Sequence, residues 1–152
     1  MTITNDPWSS GSAASSQYAE MYQTNNAIAT TINTINVWEE VGNLSSGLLY
    51  GWTYSSGALV AGASAAGVYQ LVGSVSSSAV SVNKDFEYAI SVEDATEAKS
   101  TTKRRFSTSD TGSQSISCLL LIAAGDSVKL EVRNITDATN ITVIDCNICL
   151  KK

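Results

Sequence analysis

Ser113-Gln114-Ser115-Ile116-Ser117-Cys118-Leu119-Leu120-Leu121-Ile122-Ala123-Ala124-Gly125-Asp126-Ser127-Val128-Lys129-Leu130-Glu131-Val132 reads as strand, turn and strand. Alternate residues of a strand point to opposite faces. Ser113, Ser115 and Ser117 therefore share one face, and Gln114, Ile116 and Cys118 the other. After the turn, Val128, Leu130 and Val132 alternate with Lys129, Glu131 and Arg133, the pattern of a half-buried strand. Gly125 can take positive φ without steric cost, and Asp126 can bond nearby backbone amides, so the two form a structural turn of hairpin type. From Cys118 to Ile122 both faces are apolar. Ile116, Cys118, Leu120 and Ile122 can fill a core, and Leu119 and Leu121 then need a second dry environment. An apolar patch on the outside of a domain usually marks an interface. A homo-oligomer packed partly through Leu119 and Leu121 is expected; a loop or the N-terminal arm folded over that face is the alternative.

The same pattern continues in both directions. Upstream, strands are expected at Tyr18–Tyr22, Ala27–Ile32, around Val37, Trp38 and Val41, at Leu48–Tyr54, at Val68–Ser78 and at Phe86–Val92, with a short edge strand at Lys103–Phe106. The Ala-rich stretch Leu59–Gly67 resembles a helix in composition, but Gly62 and Gly67 weaken that reading. Downstream, Asn134–Thr139 reads as a turn. Asn140–Leu150 closes the chain, again with adjacent apolar pairs such as Val143 and Ile144. Eight or more strands with no convincing helix point to an all-β antiparallel sandwich of the jelly-roll kind.

The chain has 152 residues, which suits one domain. Its charged fraction of 15% is well below the usual level of roughly 25%. Serine and threonine take up the difference, which disfavours helix surfaces and suits strands. A net charge of −5 leaves no electrostatic footprint for nucleic acid, so no nucleic-acid partner is expected. No apolar run is long enough to span a bilayer, and the first residues show no signal peptide, so no membrane partner is expected either. Residues 1–17 read as an extended N-terminal arm ahead of a domain at 18–152. Trp8 in that arm either docks on its own domain or anchors the arm to a partner.

Catalytic chemistry is sparse. There is no histidine, which removes Ser-His-Asp and Cys-His catalysis. Cys146-x-x-Cys149 has the spacing of a metal or redox pair, but residues three apart on a strand face opposite ways and no second pair exists. The carboxylate pairs Glu39-Glu40 and Glu93-Asp94 are expected to be solvated. Asp137, Asn140 and Asp145 have no recognised calcium spacing. No enzyme, no cofactor and no metal is expected. The basic run Lys103-Arg104-Arg105 reads as a solvated edge that blocks unwanted pairing, or as a contact for an acidic partner.

Leu120-Leu121-Ile122-Ala123-Ala124-Gly125-Asp126-Ser127-Val128-Lys129-Leu130 resembles the strand, Ala-Gly-Asp turn and strand near the end of tumour-necrosis-factor-like jelly rolls. Gly67-Val68-Tyr69-Gln70-Leu71 resembles the Gly-x-Tyr strand of the same family. Tyr18-Ala19-Glu20-Met21-Tyr22 and Ile35-Asn36-Val37-Trp38 resemble words in tailed-phage virion proteins with this domain, both head-decoration proteins and fibre knobs. The resemblance spans roughly residues 36–150. It implies a homotrimer whose interface includes Leu119, Leu121 and Val143. The expected function is that of a virion structural protein, a capsid decoration or cement protein on the outer surface of a tailed-phage head, made in the host cytoplasm. Its partners would be itself and the major capsid protein or neighbouring decoration proteins, gripped by an arm that uses Trp8, Tyr18 and Tyr22. The alternative is a receptor- or glycan-binding knob of a tail or head fibre, with Tyr50, Trp52 and Tyr54 either stacking on sugars or filling the core.

Overall fold

Side chains that alternate inward and outward make the strands, and residues at positive φ, such as Gly51, Ser56 and Glu93, follow several of them. The computed structural model describes residues 16–107 and 110–152. In chain order the strands are β1 (Tyr18–Gln23), β2 (Glu39–Glu40), β3 (Ser45–Tyr50), β4 (Trp52–Ser55), β5 (Ala58–Ala61) and β6 (Gly67–Ala79). There follow β7 (Lys84–Val92), β8 (Ala95–Thr96), β9 (Thr102–Phe106), β10 (Thr111–Ile122), β11 (Ser127–Asn134) and β12 (Ile141–Lys151). A single 3₁₀ turn, Ala98–Ser100, is the one helical element among the described residues. No helix among them is long and apolar enough to cross a membrane.

The strands form two antiparallel sheets packed face to face. One has five strands in the order β10-β6-β12-β1-β3. The other has the order β4-β5-β11-β7-β8, with β2 added beside β11 and β9 beside β7. The core lies between them. Tyr69, Leu71, Ile116, Leu120, Ile148 and Leu150 come from the first sheet and meet Phe86, Tyr88, Ile90, Val128, Leu130 and Val132 from the second. The chain is an antiparallel β-sandwich of jelly-roll type.

Several sequence expectations are corrected. Ala27–Ile32 is not a strand; it holds one isolated bridge, Thr30 to Ile141. Asn25 ahead of it adopts φ 51°, and the Asn26 side chain accepts the Ile28 amide, a local bond that competes with sheet pairing. The stretch Leu48–Tyr54 is two strands in different sheets. Gly51 at φ 80° turns the corner between β3 and β4, a conformation that costs glycine nothing. The region at Val37–Val41 pairs over two residues only, Glu39 and Glu40 against Val132 and Glu131.

The turn at Gly125 keeps its expected chemistry but changes its role. Gly125 has φ 93°, and Asp126 Oδ2 accepts the Ala123 amide at 2.7 Å. The strands it joins lie in opposite sheets, so it arches across the sandwich and closes no hairpin. β5 holds the arch in place: Gly125 N–H donates to Ala61 O at 2.8 Å, and Ala61 N–H to Asp126 O at 2.9 Å.

Candidate functional site: the outward face of the five-stranded sheet

The five-stranded sheet has a dry inner face and an outer face that nothing in this chain covers among the described residues. Strand register places its side chains. Leu121 lies opposite Val68, Leu119 opposite Gln70, and Ser117 opposite Val72, which is itself beside Cys149. Farther along, Ser115 faces Ser74 and Ser113 faces Ser76. Across the sheet, Lys151 neighbours Tyr18, and Tyr18 neighbours Tyr50. Leu119 is 60% exposed and Leu121 75% exposed, far more than a strand leucine that serves its own core. Val68, Val72, Leu48, Tyr18, Tyr22 and Tyr50 are exposed on the same face.

That face therefore has two ends. The end near Val68, Val72, Leu119 and Leu121 is aliphatic. In the row that leads from Leu119 across the sheet, exposed Gln70 and Lys151 come next, and beyond them stand the tilted ring pair Tyr18–Tyr50, with centroids 5.9 Å apart, and Leu48. Between Val72 and Ser74 the character changes, and the remainder is lined by serines with Tyr22, Asp145 and Asn147. Glu20 stands near the boundary. Its carboxylate accepts the Asn147 side-chain amide at 2.6 Å and the Leu48 backbone amide at 3.2 Å, which together hold it below the usual carboxylate range.

The structure relocates other sequence-derived candidates. Val143 does not belong to this face. It is fully buried in the sandwich core, because its position in β12 places it on the inner side, and it has no surface to offer another copy. Tyr18 and Tyr22 are not part of an arm. They are paired on both sides within β1, between β12 and β3. Gln17, assigned to the arm, is buried: its Oε1 accepts the Tyr69 hydroxyl at 2.8 Å, and its amide nitrogen donates to Ser64 at 3.0 Å. Trp8 lies outside the described residues.

The three aromatics considered for sugar stacking separate. Trp52 is a core residue, edge-on to Tyr69 at 5.2 Å, and its indole N–H donates to the Tyr69 hydroxyl at 3.3 Å. Tyr54 is half-buried and donates its hydroxyl to Leu44 O. Tyr50 alone is well exposed.

The charged and thiol groups are engaged locally. Lys103 pairs with Asp85 at 3.0 Å, and the Arg105 Nε lies 3.9 Å from the same carboxylate. Arg104 lies over Phe106, 5.4 Å from its ring centroid. Glu40 and Asp94 both hold Lys129, and Asp94 first and then Glu40 raise its pKa. Glu39 accepts from Asn33, and Glu93 accepts the Ser127 amide at 2.6 Å. Asp137 binds Lys84, Asn140 accepts the Ile32 amide, and Asp145 accepts the Asn25 amide, so these three oxygens serve separate turns. Cys146 faces the core and Cys149 the outer side, and all three cysteines are free. Burial pushes the Cys146 thiol up to about 12.

No family model matches the chain, and no curated protein matches it by sequence. Solved structures do match. Murine APRIL is similar with a TM-score of 0.60 at 13% identity, covering 89% of this chain and 99% of that one. The PRD1 vertex protein P5 gives a TM-score of 0.58 at 14% identity, covering 90% and 96%. The Eiger TNF from S. frugiperda gives 0.59 at 12% identity, covering 90% and 93%. The fold is the tumour-necrosis-factor-like jelly roll, over nearly the full length of each neighbour.

Proposed function

We propose that the chain is a virion structural protein, a trimeric decoration or cement protein on the outer surface of a tailed-phage head. The observation that carries this reading is the aliphatic end of the outer face. Leu119, Leu121, Val68 and Val72 are exposed together around Gln70 on a single sheet, and burying them against sister copies is favoured. Cyclic symmetry lets one such contact repeat and close. Tyr18, Tyr50 and Leu48, on the same face beyond Lys151, join the self-contact. The likeness to a phage vertex protein supports a place in a virion, and the sparse charge and absence of histidine support a mechanical role over a chemical one. The fibre-knob alternative loses support from Trp52 and Tyr54, whose rings are occupied within the domain.

Clamping follows from valency. A trimer that touches several shell subunits makes each further contact at high effective concentration, so separating the shell requires breaking them together. The capsid contact is assigned to the arm ahead of Ser16, residues 1–15, through Trp8. Mixing the purified protein with tailed-phage heads that lack it tests the reading. Saturable binding that raises the heat resistance of the heads is expected. Removal of residues 1–15, which spares buried Gln17, is expected to abolish that binding while leaving the oligomer mass unchanged. Normal decoration by the truncated protein would refute the arm's role, and cell binding without any head binding would refute the clamp.

A further inference from the structure

The serine-lined end of the outer face is a groove of about 510 Å³, open along one side, and its floor is made by β6, β12 and β1. That volume falls within the ~300–1,000 Å³ typical of small-ligand pockets. A β-bulge shapes it. β12 alternates regularly from Ile141 (in) through Thr142 (out) to Val143 (in), and by that alternation Asp145 would point into the core. The register shifts between Val143 and Asp145, so Asp145 emerges on the outer face opposite Ser76 while Cys146 turns inward. Bulges of this kind re-aim side chains and concentrate beside binding sites.

We infer that this groove, floored by the bulge and lined by Tyr22, Ser74, Ser76, Ser113 and Asp145, binds a neutral saccharide ring. The chemistry of the lining selects the ligand. Glu20 and Asp145 are its charged side chains and no basic group lines it, so phosphate and other anions are repelled. Serine hydroxyls both donate and accept, as sugar hydroxyls do. Asp145 Oδ1 is held by the Asn25 amide at 3.0 Å, which orients the carboxylate and leaves Oδ2 without a protein donor among the described residues. A carboxylate oxygen so placed accepts from a ligand hydroxyl in a charge-assisted bond. Tyr22, partly exposed at the groove's edge, offers a ring face for the C–H side of a pyranose. Asn147 and Leu48 each hold one Glu20 oxygen, which fixes its position at the groove's edge.

This rests on the proposed function at one point: sister copies must cover the aliphatic end and leave the hydroxyl end open. The division of the face between Val72 and Ser74 fits that requirement, since the hydroxyl end gains little from burial. The test uses the full-length protein and saturation-transfer NMR with methyl glycosides of neutral hexoses and their disaccharides. Light scattering on the same samples reports the oligomer. Binding of at least one probe is expected, weakened about tenfold by Tyr22→Leu and by Asp145→Asn, the latter retaining an acceptor for Asn25. Oligomer mass is expected to stay constant in both variants. Absence of binding by every probe in a trimeric sample overturns the groove and spares the trimer. Binding that both variants leave intact also overturns the groove. Binding by a monomeric wild-type protein upholds the groove and removes the trimer.

Discussion

At the scale of single residues, the turn after β11 shows how local bonds set acid behaviour. Asp137 holds the Lys84 ammonium and accepts the Thr139 amide at 2.9 Å and the Asn134 side-chain amide at 2.9 Å. Lys84 first, then the Thr139 amide, lower its carboxyl from 3.8 to about 2. A depressed carboxyl pKa contributes stability that is complete above the unfolded value and disappears as pH falls through the folded one. Thermal melts of the wild type and Asp137→Asn are therefore expected to differ most above about pH 4 and to converge as pH approaches about 2. A constant gap across that range would contradict the assignment. Asn134, wholly buried, anchors the same turn by accepting the Thr136 and Asp137 amides, within the Asn134–Thr139 stretch whose sequence reads as a turn. Tyr88 and Ser77 likewise satisfy each other across the core, and burial pushes the tyrosine up to about 12.

At the scale of elements, alternation was legible and exceptions to it were not. β6, β7, β10 and β11 lie where the period-2 pattern places them, because each has one face against the core. Leu119 and Leu121 were readable as outward for the same reason. Val143 was misread because two adjacent apolar residues, Val143 and Ile144, give no sign of which one the bulge leaves in register. Only the pairing with β6 settles it. The sheet change at Gly51 and the arch at Gly125 were equally hidden, since a positive-φ glycine ends a strand without stating where the next one pairs. The arch makes a prediction. Gly125→Ala is expected to cost about 1–2 kcal/mol, as an L-residue forced left-handed, in chemical denaturation with the slope unchanged. Open space around the position means that no clash adds to that cost.

At the scale of the whole molecule, the two sheets and the uncovered face define what the chain can do with others. Leu119→Asp combined with Leu121→Asp is expected to convert a three-chain species to a single chain by light scattering at micromolar concentration. The domain itself should stay folded, with its circular dichroism unchanged, because neither side chain enters the core. Retention of the three-chain mass in that variant would place the self-contact elsewhere.

The amino-acid sequence by itself determined the β-sandwich, the strand-turn-strand at Ser113–Val132 and the surplus of apolar residues on one strand. These follow from local alternation, glycine chemistry and composition, which need no knowledge of partners in space. Tertiary structure alone decided that β10 and β11 lie in opposite sheets, that Val143 faces inward and that a bulge brings Asp145 beside Tyr22 and the serines. Those outcomes depend on register between strands distant in the chain, and a shift of one residue exchanges the two faces without altering the local pattern.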